Sequence, residues 1–276
     1  MSSTFDPILS AEQLAASFDA FVLLDARSGP TAKEKFLASH LRGARWVDLE
    51  TDLATKREGE GRHPLPTVEE FAKTLARKGV SPSSRVCVYD DQLGANAAAR
   101  CWWMLRQLGI EAYVLEGGWP AAGALPMASG EEPDAALEVS SWRLLDAHTV
   151  SIEHVDRVRA QGDWRIIDVR AHARYSGASE TIDPVAGHVP GAINVPFAEN
   201  MNAEGRFLDR DALRTKYEAV FGEVPMERVI LQCGSGVTAC HTLLALERAG
   251  LQGAKLWVGS FSQWCRQPHR PVGRTV

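Results

Sequence analysis

Cys233 opens the run Cys-Gly-Ser-Gly-Val-Thr-Ala, and its surroundings suit a sulfur nucleophile. Residues 228–232 before it, with Val-Ile-Leu at their centre, read as a buried strand, and residues from Val237 onward read as a helix. The end of a strand in an open α/β sheet is where ligands bind. Gly234 and Gly236 would let the backbone pass through positive φ and curl around one point. The loop amides of Gly234, Gly236, Val237 and Thr238 would then face the sulfur, and the helix would add its positive N-terminal end. Both favour an anionic sulfur, either a thiolate or the persulfide formed when a second sulfur is taken on. The ordinary alternative is a buried, inert cysteine. Cys240 fits that alternative: it lies in the helical stretch, about 10 Å of helix rise further on and too far for a bridge.

Two hydroxyls flank the nucleophile. Ser235 could orient a donor thiol and assist its proton transfer, and Thr238 could hydrogen-bond at the helix start. Short polar side chains at a helix start also cap it, so capping stays open as the reading of both.

The elements that must position this loop occur twice. Leu-Leu-Asp-Ala-Arg at 23–27 resembles Ile-Ile-Asp-Val-Arg at 166–170, and the strand-like run at 85–90 resembles 228–233, both at an offset of 143 residues. Between them lie two His-x-x-Gly-Ala elements, at His40 and His188. Short strand-like runs at 21–24, 86–89 and 113–115 have counterparts at 165–169, 229–232 and 256–258. Helical stretches intervene, such as 67–78, which opens with a capping box from Thr67 to Glu70. The pattern predicts an α/β protein of two tandem domains, each a mostly parallel sheet flanked by helices. We divide it into a non-catalytic domain at 1–125, a linker at 126–147 and a catalytic domain at 148–276. Asp90 occupies the place of Cys233 in the first half, which therefore lacks the nucleophile.

Bulk properties exclude several classes. The 276 residues are 45% hydrophobic and 24% charged, enough for one large or two modest cores. A formal net charge of −5 offers nothing to nucleic acid or an anionic membrane. An anionic substrate would need a local positive site. No apolar stretch approaches the roughly 20 residues of a membrane span, and the N-terminus has no secretory pattern. The five scattered cysteines show neither a disulfide framework nor zinc-ligand spacing. We expect a cytoplasmic protein with reduced thiols, no metal and no organic cofactor.

The active loop, the His-x-x-Gly-Ala elements and the Asp-x-Arg strand ends resemble the tandem rhodanese family over nearly the whole chain. That resemblance implies a sulfurtransferase with an inactive first domain and a catalytic second one. Cys233 would carry sulfane sulfur from a small-molecule donor to an acceptor thiol, thioredoxin among the candidates, or to cyanide. The neutral Gly-Ser-Gly loop is similar to that of 3-mercaptopyruvate sulfurtransferases, whereas thiosulfate-preferring members tend to carry basic residues there. Thiosulfate as donor and a non-catalytic binding module remain the alternatives. By the same resemblance Arg174 would grip the donor's carboxylate, and His63 and Glu50 would approach Ser235 as a His–carboxylate pair. Taken alone, His63 in Gly-Arg-His-Pro reads as a loop residue. The segment in which mercaptopyruvate enzymes carry a second arginine reads Ala-Ser-Glu-Thr-Ile-Asp-Pro here. Asp25, Asp168, His40 and His188 recur in both halves, so they read as loop organisers. A cysteine-loop phosphatase would need an arginine where this chain has Ala239, and no cysteine is placed by sequence as a resolving thiol for a redox sensor.

Overall fold

A computed structural model of the chain describes residues 5–135, 137–142 and 148–275. Part of the expected linker, at 136 and 143–147, lies outside the described residues, as do 1–4 and 276 of the expected domains. Two compact units emerge. One joins Phe5–Thr55 to Leu65–Ala147; the other joins the short segment Lys56–Pro64 to His148–Val276.

In the first unit the elements run β1 (Ile8–Leu9), α1 (Ala11–Ala15), β2 (Val22–Asp25), α2 (Ala32–Ala38), β3 (His40–Leu41), β4 (Arg45–Trp46) and α3 (Val68–Arg77). They continue through β5 (Arg85–Tyr89), α4 (Ala97–Gln107), β6 (Glu111–Leu115), α5 (Gly118–Ala121) and β7 (Met127–Ala128). The main sheet is parallel, in the order β1-β6-β5-β2-β4. Helix α3 starts where its sequence predicts, with Thr67 Oγ1 accepting from the Glu70 N–H and Glu70 Oε2 accepting from the Thr67 N–H. The pair β3–β7 is antiparallel, so Met127 and Ala128, inside the stretch expected as linker, are hydrogen-bonded to His40 and Leu41.

The second unit follows the same plan. It comprises α6 (Ile152–Val158), β8 (Arg165–Asp168), α7 (His172–Ser176), β9 (Ile193–Asn194) and α8 (Arg210–Phe221), then β10 (Val229–Gln232), α9 (Ala239–Arg248), β11 (Lys255–Leu256) and α10 (Ser260–Trp264). Its parallel sheet runs β11-β10-β8-β9, so β10 is central and buried on both faces. Ile166 and Ile230 pack with Val155, Trp257, Phe261 and Trp264 in one apolar cluster. Each such aliphatic side chain contributes roughly 1.5–3 kcal/mol on burial, which holds the end of β10 in place.

The repeat extends to side chains. Asp25 pairs with Arg27, and Asp168 with Arg170, in buried ion pairs of like geometry. Arg27 then donates to Ser39 O and Arg170 to Gly187 O, both at 2.7 Å. His40 stacks on Phe36 and His188 on Tyr175, each hydrogen-bonded through Nδ1 to that partner's carbonyl. These pairs tie loops to sheets in both halves.

Candidate active site

Cys233 follows β10 directly and is 2% exposed. Its N–H donates to Ser260 Oγ at 3.2 Å, and its carbonyl accepts from the Phe261 N–H at 3.1 Å. The Gly234 carbonyl accepts from the Ser262 N–H at 2.9 Å. The first turn of α10 thus fixes the start of the loop. Ser260 is a non-glycine residue at φ 52, and its Oγ also donates to Trp257 O at 2.8 Å. A left-handed non-glycine residue stores strain, which the surrounding bonds must hold.

The two loop glycines serve different needs. Gly236 takes φ 71, and a Cβ there would stand 2.4 Å from Val258 O, so both conformation and space demand glycine. Gly234 is not left-handed, contrary to the expectation from sequence. It is needed for room: a Cβ would stand 2.7 Å from Arg62 Nη2 and 3.4 Å from Arg174 Nη1. Val237 is buried, and Thr238 is the N-cap residue of α9 without a side-chain capping bond.

Ser235 is 6% exposed, and its Oγ lies 2.7 Å from His63 Nδ1. His63 reaches it from the segment Lys56–Pro64, which packs with the Cys233 unit. The Arg62 N–H donates to Ser262 Oγ, Gln263 Nε2 donates to Gly59 O, and the Arg62 guanidinium pairs with Asp183. Those bonds hold the excursion beside the loop. Glu50 belongs to the other unit, where its side chain is exposed and its N–H donates to Asp48 Oδ1.

Arg174, on α7, is held from two sides. Its Nε and Nη2 bond Glu180, and Nη2 also reaches Asp183 Oδ2 at 3.2 Å. Burial would push the Glu180 carboxyl up, but the Asp183 and Ile182 amides and the Arg174 guanidinium hold it below its ordinary range. Arg170 lies within electrostatic reach of Cys233, Asp168 and Glu180.

The first half, with no thiol at the position matching Cys233, shows what its loop holds instead. Asp90 is buried, and its carboxylate accepts four backbone N–H bonds, from Gln92 and Gly94 on one oxygen and Asn96 and Ala98 on the other. Such a ring of amides is an anion nest. The Trp119 N–H bonds Asp90 O as the Phe261 N–H bonds Cys233 O, and Gly118 at φ 58 stands where Ser260 stands.

Sequence reasoning missed Arg62, Asp183 and Ser260. The match of Gly-Gly-Trp at 117–119 to Gly-Ser-Phe at 259–261 could have exposed Ser260, since one half uses glycine where the other uses serine. Nothing local marks Arg62 or Asp183. Among the described residues no cluster of three or more His, Cys, Asp or Glu could hold a metal ion, and no helix is long and apolar enough to cross a membrane.

Comparison with known proteins gives a consistent picture. The rhodanese-like domain family matches residues 10–124 and 151–267. A Pseudomonas aeruginosa protein named "Probable 3-mercaptopyruvate sulfurtransferase" is 40% identical, across 96% of this chain and 97% of its own. An Arabidopsis thaliana protein named "Thiosulfate/3-mercaptopyruvate sulfurtransferase 1, mitochondrial" is 28% identical, across 98% of this chain and 79% of its own. Among solved structures, that of 3-mercaptopyruvate sulfurtransferase from Leishmania major superposes with a TM-score of 0.84 at 27% identity, covering 96% of this chain and 75% of the other.

Proposed function

Because the chain belongs to the rhodanese family, in two tandem copies, we propose that it is a sulfurtransferase moving sulfur from 3-mercaptopyruvate through a persulfide on Cys233. Residues 148–276 carry the nucleophile, residues 1–125 form the domain without one but lend His63 to the site, and 126–147 join them.

The contact that carries this reading is His63 Nδ1 to Ser235 Oγ, two residues past the nucleophile. The Cys233 thiolate attacks the donor sulfur and the donor's C–S bond breaks, leaving its electron pair on carbon as the enolate of pyruvate. The enolate needs a proton, and the donor's thiol has one to give. Ser235, with His63 behind it, is suited to pass that proton from sulfur to carbon. Arg174 is proposed to hold the donor's carboxylate. The amides of Gly234, Gly236, Val237 and Thr238 cradle the persulfide. The four amide bonds at Asp90 in the sister loop support that cradle. In the second step an acceptor thiolate, or cyanide, attacks the outer sulfur and Cys233 departs as thiolate. A protein thiol of the thioredoxin kind is the acceptor class we favour, in the cytoplasm, where the five unbridged cysteines would stay reduced.

Thiosulfate is the second reading, supported by the double name of the Arabidopsis relative. Steady-state thiocyanate formation with 3-mercaptopyruvate and thiosulfate in parallel decides between them. Preference for mercaptopyruvate, lost in Cys233→Ser together with the extra sulfur seen on Cys233 by mass spectrometry, is the expected result. Preference for thiosulfate would overturn the donor assignment. Absence of turnover with either would leave a binding module.

A further inference from the structure

Asp183 is a carboxylate with no side-chain exposure, and three guanidinium groups converge on it, from Arg62, Arg174 and Arg266. Glu180, also buried, takes Arg170 and the Nε and Nη2 of Arg174. With the Asp168–Arg170 pair included, four guanidinium groups meet three carboxylates, an excess of one positive charge in a chain whose formal net charge is −5. This is the local cation that an anionic substrate requires.

The geometry shows where that charge is offered. Arg62 uses Nη1 on Asp183, and Arg174 uses Nε and Nη2 on Glu180 and Asp183. Arg62 Nη2 and Arg174 Nη1 are left without a hydrogen-bond partner among the described residues. These are the two nitrogens nearest Gly234, at 2.7 and 3.4 Å from where a Cβ would stand. Both side chains are between a fifth and a quarter exposed, so a solute can reach them. A structural tie between Arg62 and Asp183 would require the Nη1 bond alone. It would not require the other nitrogen to project over the residue next to the nucleophile.

We propose that Arg62 is a donor-binding residue, forming with Arg174 a two-guanidinium clamp for the carboxylate of a thiol-bearing 2-oxo acid, with Asp183 positioning both. One nitrogen from each arginine suits the two carboxylate oxygens, each bond charge-assisted. The clamp supplies from the first half of the chain the second cation that residues 178–184 lack. Gly234 then keeps open the space in which the carboxylate sits. The inference rests on the mercaptopyruvate reading.

Two arms test it. In the first, KM and kcat for 3-mercaptopyruvate are measured for Arg62→Met, Arg62→Lys and Arg174→Met, with thermal melts alongside. Arg62→Met should raise KM about tenfold or more with a smaller change in kcat, as loss of a charge-assisted bond to substrate requires. Arg62→Lys keeps a cation for Asp183 but loses the fork, so it should melt like the parent and still show most of the KM rise. Combining Arg62→Met with Arg174→Met should give less than the product of the single effects, because both act on one carboxylate. In the second arm, pyruvate and methyl pyruvate are titrated by NMR into Cys233→Ser protein with and without Arg62. Preference for the acid over the ester should fall when Arg62 is removed. A KM within twofold of the parent in both Arg62 variants, or unchanged acid preference, overturns the clamp. If the parent itself fails to turn over 3-mercaptopyruvate, the donor reading falls, and the pyruvate titration still decides whether Arg62 binds a carboxylate.

Discussion

His63 Nδ1 lies 2.7 Å from Ser235 Oγ, although 172 residues of chain separate them. In the proposed mechanism this contact lets the Ser235 hydroxyl pass a proton on to the imidazole. A donor that leaves as a carbanion equivalent needs that relay. A donor that leaves as sulfite does not. Ser235→Ala and His63→Asn should each lower kcat with 3-mercaptopyruvate by about 100-fold. The same variants should change kcat with thiosulfate by less than about fivefold. Equal losses with both donors would count against the relay.

Gly234 and Gly236 should respond differently to alanine. At Gly236 a Cβ meets the Val258 carbonyl and the backbone is left-handed, so neither side can give. Gly236→Ala should lose at least about 2 kcal/mol of stability in urea unfolding. At Gly234 the nearest atom is the end of a long arginine side chain. Gly234→Ala should therefore unfold within about 1 kcal/mol of the parent. Its cost should appear in donor KM as Arg62 is displaced.

Asp90 fills the first loop with a carboxylate bonded to four amides. Asp90→Ala leaves those buried donors without an acceptor. At about 1 kcal/mol or more per orphaned donor, unfolding stability should drop by roughly 3–5 kcal/mol. Turnover by the folded fraction should stay near that of the parent. A loss below about 1 kcal/mol would mean that water replaces the carboxylate.

His241, on α9, is fully buried against Phe197 and Phe207, where burial, aided by Lys216, pushes its imidazole down to about 3. Above about pH 6.5 the folded and unfolded chains both hold it neutral, so it favours neither state. Below that the unfolded chain takes a proton that the folded one refuses, and stability falls as pH falls towards about 3. The total loss from this group approaches about 5 kcal/mol as an upper bound. Urea midpoints measured from pH 7 to pH 4 should decline in the parent and much less in His241→Leu. Parallel declines would assign the acid sensitivity to other groups.

Local chemistry in the sequence determined the two α/β halves, the start of α3 at Thr67 and the strand end that carries Cys233. Hydrophobic period, capping boxes and glycine-rich turns act over a few residues, so they are readable without tertiary contacts. Strands of two residues such as β1, β4 and β9 escaped, because pairing with a neighbour defines them and no local pattern does. The role of Gly234 was misread for a related reason: a glycine kept for space looks, in sequence, like one kept for a turn. Tertiary structure alone brought Lys56–Pro64 out of the first half to the catalytic loop, with His63 meeting Ser235 and Arg62 meeting Asp183. No periodicity encodes those meetings. They follow from buried charges that must be paired and from a segment with no sheet of its own to join. The nucleophile is a property of the loop, and its company is a property of the fold.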